Sequence, residues 1–164
     1  MSRTFLLAAL ALSVSGCVQP TEPTSAAKSA AAPTGPNFTG NWTGTYVIGK
    51  CTQSQDIARA DVCGTLGTSS PYRLALTQNS QGLVTASLML EGLQFPSVTR
   101  KIDSQGTVAA STYANADPFT VQAQIALNMS GTDLAGEIQQ FWTSSSLSGK
   151  ATIAGRISTA TRTP

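Results

Sequence analysis

The 164-residue chain contains no histidine, which removes the Ser-His-Asp triad, the Cys-His pair and the commonest ligand of zinc hydrolases. Charged residues make up only 11%, with Lys+Arg 10 against Asp+Glu 8 and a formal charge of +2. No basic patch of the kind that nucleic acid demands is present. Carboxylates are sparse: Glu91, Asp103, Asp117 and Asp133 fall at expected turns, and Glu137 stands alone in an expected strand beside Gln139. A paired acid for glycoside chemistry is not evident. Aromatics reach only 6% and form no girdles, Arg73 interrupts Tyr72 and Leu74, and the chain ends Arg162-Thr163-Pro164. These features disfavour a membrane-spanning barrel. The reading is therefore of a protein that is not an enzyme, with no catalytic residue, no metal and no cofactor to assign.

What is present begins with a divided amino-terminal region. Arg3 precedes an uncharged apolar run, Phe5 to Val14, too short for the roughly 20 residues that span a bilayer. Val14-Ser15-Gly16 then leads directly into Cys17, the order of a secretory signal closed by small residues. This stretch resembles the lipobox of bacterial lipoproteins. The resemblance implies removal of residues 1–16, acylation of Cys17, and membrane lipid as the partner of that residue. With Val18 rather than Asp after the cysteine, it also implies delivery to the outer membrane. Residues 17–37 form the expected lipidated terminus and linker, since 18–37 hold four of the eight prolines and no large apolar side chain. In this context, the glycosylation tripeptides at Asn37, Asn41 and Asn128 are chance matches.

Residues 38–164 are long enough for one domain with a real core. No helical stripe of ten or more residues occurs there, and apolar and polar residues alternate between turn signals instead. The expected strands are 41–49, 71–79, 82–91, 93–102, 106–114, 118–130, 133–142 and 147–158. The clearest is the sixth, where Phe119, Val121, Ala123, Ile125, Leu127 and Met129 share one face. Asn79-Ser80-Gln81-Gly82 and Asp103-Ser104-Gln105-Gly106 repeat the same turn, and Gly131 extends the spacing. Short sequential hairpins follow. The fold class is all-β. An eight-stranded antiparallel up-and-down barrel removes sheet edges, while a two-sheet β-sandwich has the same periodicity.

Gly40-Asn41-Trp42 opens the first strand, and a Gly-x-Trp there resembles the lipocalin and wider calycin superfamily. The resemblance implies a Trp plugging one end of the barrel and a late arginine packed across it. Arg156 is the first candidate for that arginine and Arg162 the second.

Cys51 and Cys63 remain after Cys17, and secretion would pair them. They bracket a loop bearing Asp56, Arg59 and Asp61, the longest interruption among the tight turns. Two functional readings follow. In one, small residues at Gly44, Ala86, Ala110, Ala123, Gly136 and Ala151 leave room for a small apolar or amphipathic ligand lined by Tyr46, Tyr72, Leu74, Leu76, Gln140 and Trp142. In the other, the interior is solid. The exterior or the disulfide loop then meets an envelope protein, as an inhibitor of a lysozyme or protease or as a scaffold.

Overall fold

The computed structural model describes residues 35–163. The expected signal segment 1–16, Cys17 and all but the last three residues of the expected linker 17–37 lie outside them. Nine strands lie among the described residues: β1 Gly40–Gln53, β2 Ser69–Gln78, β3 Leu83–Leu90, β4 Leu93–Gln94, β5 Val98–Lys101, β6 Val108–Ala116, β7 Phe119–Ser130, β8 Asp133–Ser144 and β9 Ala151–Thr163. They form one antiparallel sheet in the order β4-β3-β2-β1-β9-β8-β7-β6, with β5 also paired to β3. A single continuous sheet in sequential order is a nearly closed up-and-down barrel and not a two-sheet sandwich.

The first and last strands are joined along most of their length, from Asn41 opposite Thr163 to Gln53 opposite Ala151. The remaining seam lies between β5 and β6, which share a turn but no ladder. Thr112 Oγ1 bridges it, donating to the Pro96 carbonyl at 2.9 Å. The cause is visible at Phe95-Pro96-Ser97, where the expected strand 93–102 breaks into β4 and β5. Pro96 has no N–H to offer a ladder. Phe95 turns inward to 1% exposure while its N–H reaches the Leu88 carbonyl at 2.9 Å.

Alternation decides which side chains enter the core. On β7, Val121, Ala123, Ile125 and Leu127 are buried, and Gln122, Gln124 and Asn128 face outward. Each large apolar side chain taken fully out of water contributes about 1.5–3 kcal/mol. The apolar interior and polar exterior are the reverse of what a membrane-spanning barrel requires.

The repeated turn has one geometry used twice. Asn79 Oδ1 accepts from Gln81 N at 2.9 Å and Leu83 N at 3.0 Å. Asp103 Oδ1 accepts from Gln105 N and Thr107 N, each at 2.8 Å. Gly82 and Gly106 close these turns at φ +74 and +78, a region open to glycine. Asn79→Ala and Asp103→Ala are each expected to cost about 1–2 kcal/mol, since each deletes two backbone hydrogen bonds. Denaturant melts of the two variants check this, and a change under a few tenths of a kcal/mol would show the side chain to be dispensable.

Both of these turns and the one at Gly131 lie at the end of the barrel that carries Trp42. The Cys51–Cys63 loop, the β3–β4 turn and the β8–β9 connection lie at the other end. Chain entry at Phe38 is on the Trp42 side.

Candidate functional site

Five of the six residues expected to line a cavity are deep in the barrel: Tyr46 is 0% exposed, Leu76 1%, Tyr72 and Leu74 2%, and Gln140 4%. Trp142 is half-buried near the mouth at the disulfide end, its ring edge-on to Phe119 with centroids 5.6 Å apart. Polar groups among them are satisfied by one another. Gln140 Nε2 donates to Tyr46 Oη at 2.7 Å, and Trp142 Nε1 donates to Gln140 Oε1 at 3.2 Å. Tyr46 Oη in turn donates to Glu91 Oε1 at 3.4 Å. A ligand-sized void would leave its walls open to a water-sized sphere, so exposures this low leave no such space between the five buried residues.

Of the small residues expected to leave volume, Gly44 and Gly136 lie against the Thr159 and Ala126 carbonyls of the neighbouring strands, and Gly155, outside that set, is covered by Tyr46. A Cβ on Gly155 would stand 2.7 Å from Tyr46 Cδ2, so that ring lies directly on the glycine. Tyr72, which pairs with Gly44, donates its hydroxyl to the Thr159 carbonyl at 3.1 Å, beside a register shift in the β1–β9 pairing. Burial pushes the Tyr72 hydroxyl up to about 12. Tyr46 is likewise raised to about 12, first by burial and then by the Glu91 carboxylate.

At the opposite end Trp42 is 1% exposed, and its Nε1 donates to the Phe38 carbonyl at 3.1 Å. The Phe38 N–H is held by Gln78 Oε1 at 2.9 Å. The arginine packed across this Trp is Arg162, its guanidinium carbon 5.5 Å from the ring centroid, and it also donates to the Thr39 carbonyl. The first candidate, Arg156, points outward to Glu137 Oε1 at 3.2 Å. Register explains the correction: β9 runs five residues beyond the expected end at 158, which sets Arg162 opposite Trp42. Gly40 suits this place through its φ of +150, a backbone conformation that other residues rarely adopt.

Cys51 and Cys63 are bonded, with Cα atoms 5.7 Å apart. The bracketed loop forms a 3-10 segment, Gln55–Ala60, that folds onto the barrel. Ile57 is 0% exposed, a contribution invisible in the sequence because one apolar residue in a polar loop has no periodicity. The loop is tied to the β8–β9 connection by Ser54 N to Lys150 O at 3.1 Å and Ile57 N to Ser148 O at 3.3 Å. Ser148 Oγ adds a bond to Asp56 Oδ2 at 2.7 Å. Replacing both cysteines by serine is expected to lower stability by about 3 kcal/mol, a fall in Tm of roughly 10 °C. Calorimetry of the double variant tests this, and a shift below about 2 °C would mean that the loop stays closed without the bond.

Outside the barrel, two adjoining grooves cross the face of β6, β7, β8, β9 and β1. One, about 330 Å³, is bounded by Arg100, Ser111, Gln124 and Gln139. The second, about 440 Å³, continues from Gln139 past Ala154 to Gly49 and Lys50. Among the described residues, no three His, Cys, Asp or Glu side chains converge as metal ligands would.

Comparison with known proteins finds no matching family model, no similar curated protein and no similar solved structure. Among the described residues the fold is a nearly closed, antiparallel up-and-down β-barrel carrying the Cys51–Cys63 disulfide.

Proposed function

We propose that the protein is a bacterial envelope lipoprotein, anchored in the outer membrane through acylated Cys17. Its solid barrel has no chemistry of its own and meets another envelope macromolecule with its exterior. The observation that carries this choice over a ligand-binding calyx is the near-complete burial of Tyr46, Tyr72, Leu74, Leu76 and Gln140 in the barrel interior. A relation to the lipocalin and calycin superfamily is supported by Gly40, buried Trp42 and the Arg162 guanidinium over its ring. Chain entry on the Trp42 side favours an orientation in which the disulfide end points away from the anchor.

The test is made on the mature protein from its host membranes. Mass spectrometry should find residues 1–16 removed and Cys17 carrying acyl chains, and fractionation should place the protein with the outer membrane. A bare thiol at Cys17 would overturn the anchor. Native mass spectrometry should show the barrel free of any small apolar molecule; a stoichiometric bound lipid or hydrophobe inside it would restore the calyx reading.

A further inference from the structure

The two outer grooves share Glu137 and Gln139, so they form one track across five strands. At about 4.8 Å per strand it spans on the order of 20 Å. Its floor follows one cross-strand row, Ser111, Gln124, Gln139 and Ala154, with Gln124 directly opposite Gln139. These side chains offer amide and hydroxyl groups with no charge. Small residues flank them at Ala109 and Ala126, and the one acid, Glu137, is neutralised by Arg156 at 3.2 Å. Unpaired cations stand only at the two ends, Arg100 at one and Lys50 at the other.

Two residues along the strands, the parallel row Tyr113, Gln122 and Phe141 also faces outward. Tyr113 is 58% exposed, one of two large apolar side chains so exposed among the described residues. Phe141 is half-buried on the same face. An aromatic side chain displayed on a polar sheet offers a flat apolar face with a polar handle, a match for the C–H faces of a sugar ring.

We infer that this face docks the glycan strands of peptidoglycan. The uncharged amide row meets the hydroxyl and acetamide groups of the N-acetylated sugars, Tyr113 and Phe141 stack on ring faces, and Arg100 and Lys50 meet carboxylates of the stem peptides. The charge pattern selects this occupant. A polyanion such as nucleic acid needs cations along the whole track, whereas a neutral backbone with anionic branches needs them only at intervals. The inference rests on the envelope location proposed above.

The full-length protein, purified in detergent from its host membranes, is sedimented with purified peptidoglycan sacculi. Wild type should co-sediment, and tetra-N-acetylchitotetraose should compete it off. Gln124→Ala with Gln139→Ala, and separately Tyr113→Ala, should each weaken retention at least tenfold with an unchanged thermal melt. Lys50→Ala with Arg100→Ala should weaken it several-fold and flatten its salt dependence. Failure of wild type to sediment overturns the glycan. So does displacement by free stem peptide but not by the tetrasaccharide, or equal retention of wild type and the Gln double variant. Correct acylation together with failed sedimentation would leave the anchored-protein reading standing, whereas a bare Cys17 removes that reading whatever the sacculi show.

Discussion

Trp42→Ala is expected to lower stability by about 3–5 kcal/mol, a fall in Tm of roughly 10–20 °C. Three losses coincide at this position. The indole is 1% exposed, so its removal leaves a cavity at the barrel end. The Phe38 carbonyl loses its donor at 3.1 Å, and Arg162 loses the ring beneath its guanidinium. Arg162→Ala removes the last of these together with its hydrogen bond to the Thr39 carbonyl and should cost about 0.5–2 kcal/mol. A double variant should then lose less than the sum of the two, because the pair shares one contact. Urea melts of the four proteins measure the cycle. A Trp42→Ala cost below about 1 kcal/mol would show the ring to be a bystander at that end.

The contrast between Trp42 and Arg162 marks what a sequence discloses about such a barrel. Trp42 is legible because an aromatic residue beside a glycine at a strand start is a local feature. Arg162 could be named only as the second candidate, behind Arg156, because its partner is fixed by register between the two ends of the chain, and residues 159–163 carry no apolar alternation to announce a strand. They are held as strand by backbone pairing to β1. The turns at Asn79 and Asp103 were readable for the opposite reason: a side-chain oxygen two residues before its own backbone donor needs no distant partner. The break at Pro96 was in plain view: the apolar residues change parity there, from Leu93 and Phe95 to Val98 and Ile102.

Tyr46, Gln140 and Trp142 could be grouped from strand periodicity alone, since alternation tells which side chains face inward. Whether the space between them is filled depends on what meets the small residues, and Tyr46 lying on Gly155 is a contact between β1 and β9. The outer track was less accessible still. Gln124 and Gln139 look like ordinary solvent-facing residues until the β7–β8 register sets them side by side.

Raising the pH from about 9 to about 12 is expected to remove much of the barrel's stability, through Tyr46 and Tyr72. Both hydroxyls are raised from 10.0 to about 12 in the folded protein. Below pH 10 the folded and unfolded chains both keep these protons, and the stabilisation is fully present. Between 10 and 12 the unfolded chain releases them and the folded chain does not, so the unfolded state binds fewer protons and stability falls as pH rises. With partial solvent screening each tyrosine contributes on the order of 1–2 kcal/mol over that interval, and the two together are a sizeable share of the stability of a typical domain. Tyr72→Phe should halve the slope at little cost near neutral pH, because only the Thr159 carbonyl loses a donor there. Tyr46→Phe should also halve it but cost about 1–3 kcal/mol at neutral pH, since it leaves the buried Gln140 amide without its acceptor at 2.7 Å. Denaturant melts across this pH range measure both slopes. A stability that stays level from about pH 9 to about pH 12 would mean that neither hydroxyl is held in its protonated form by the fold.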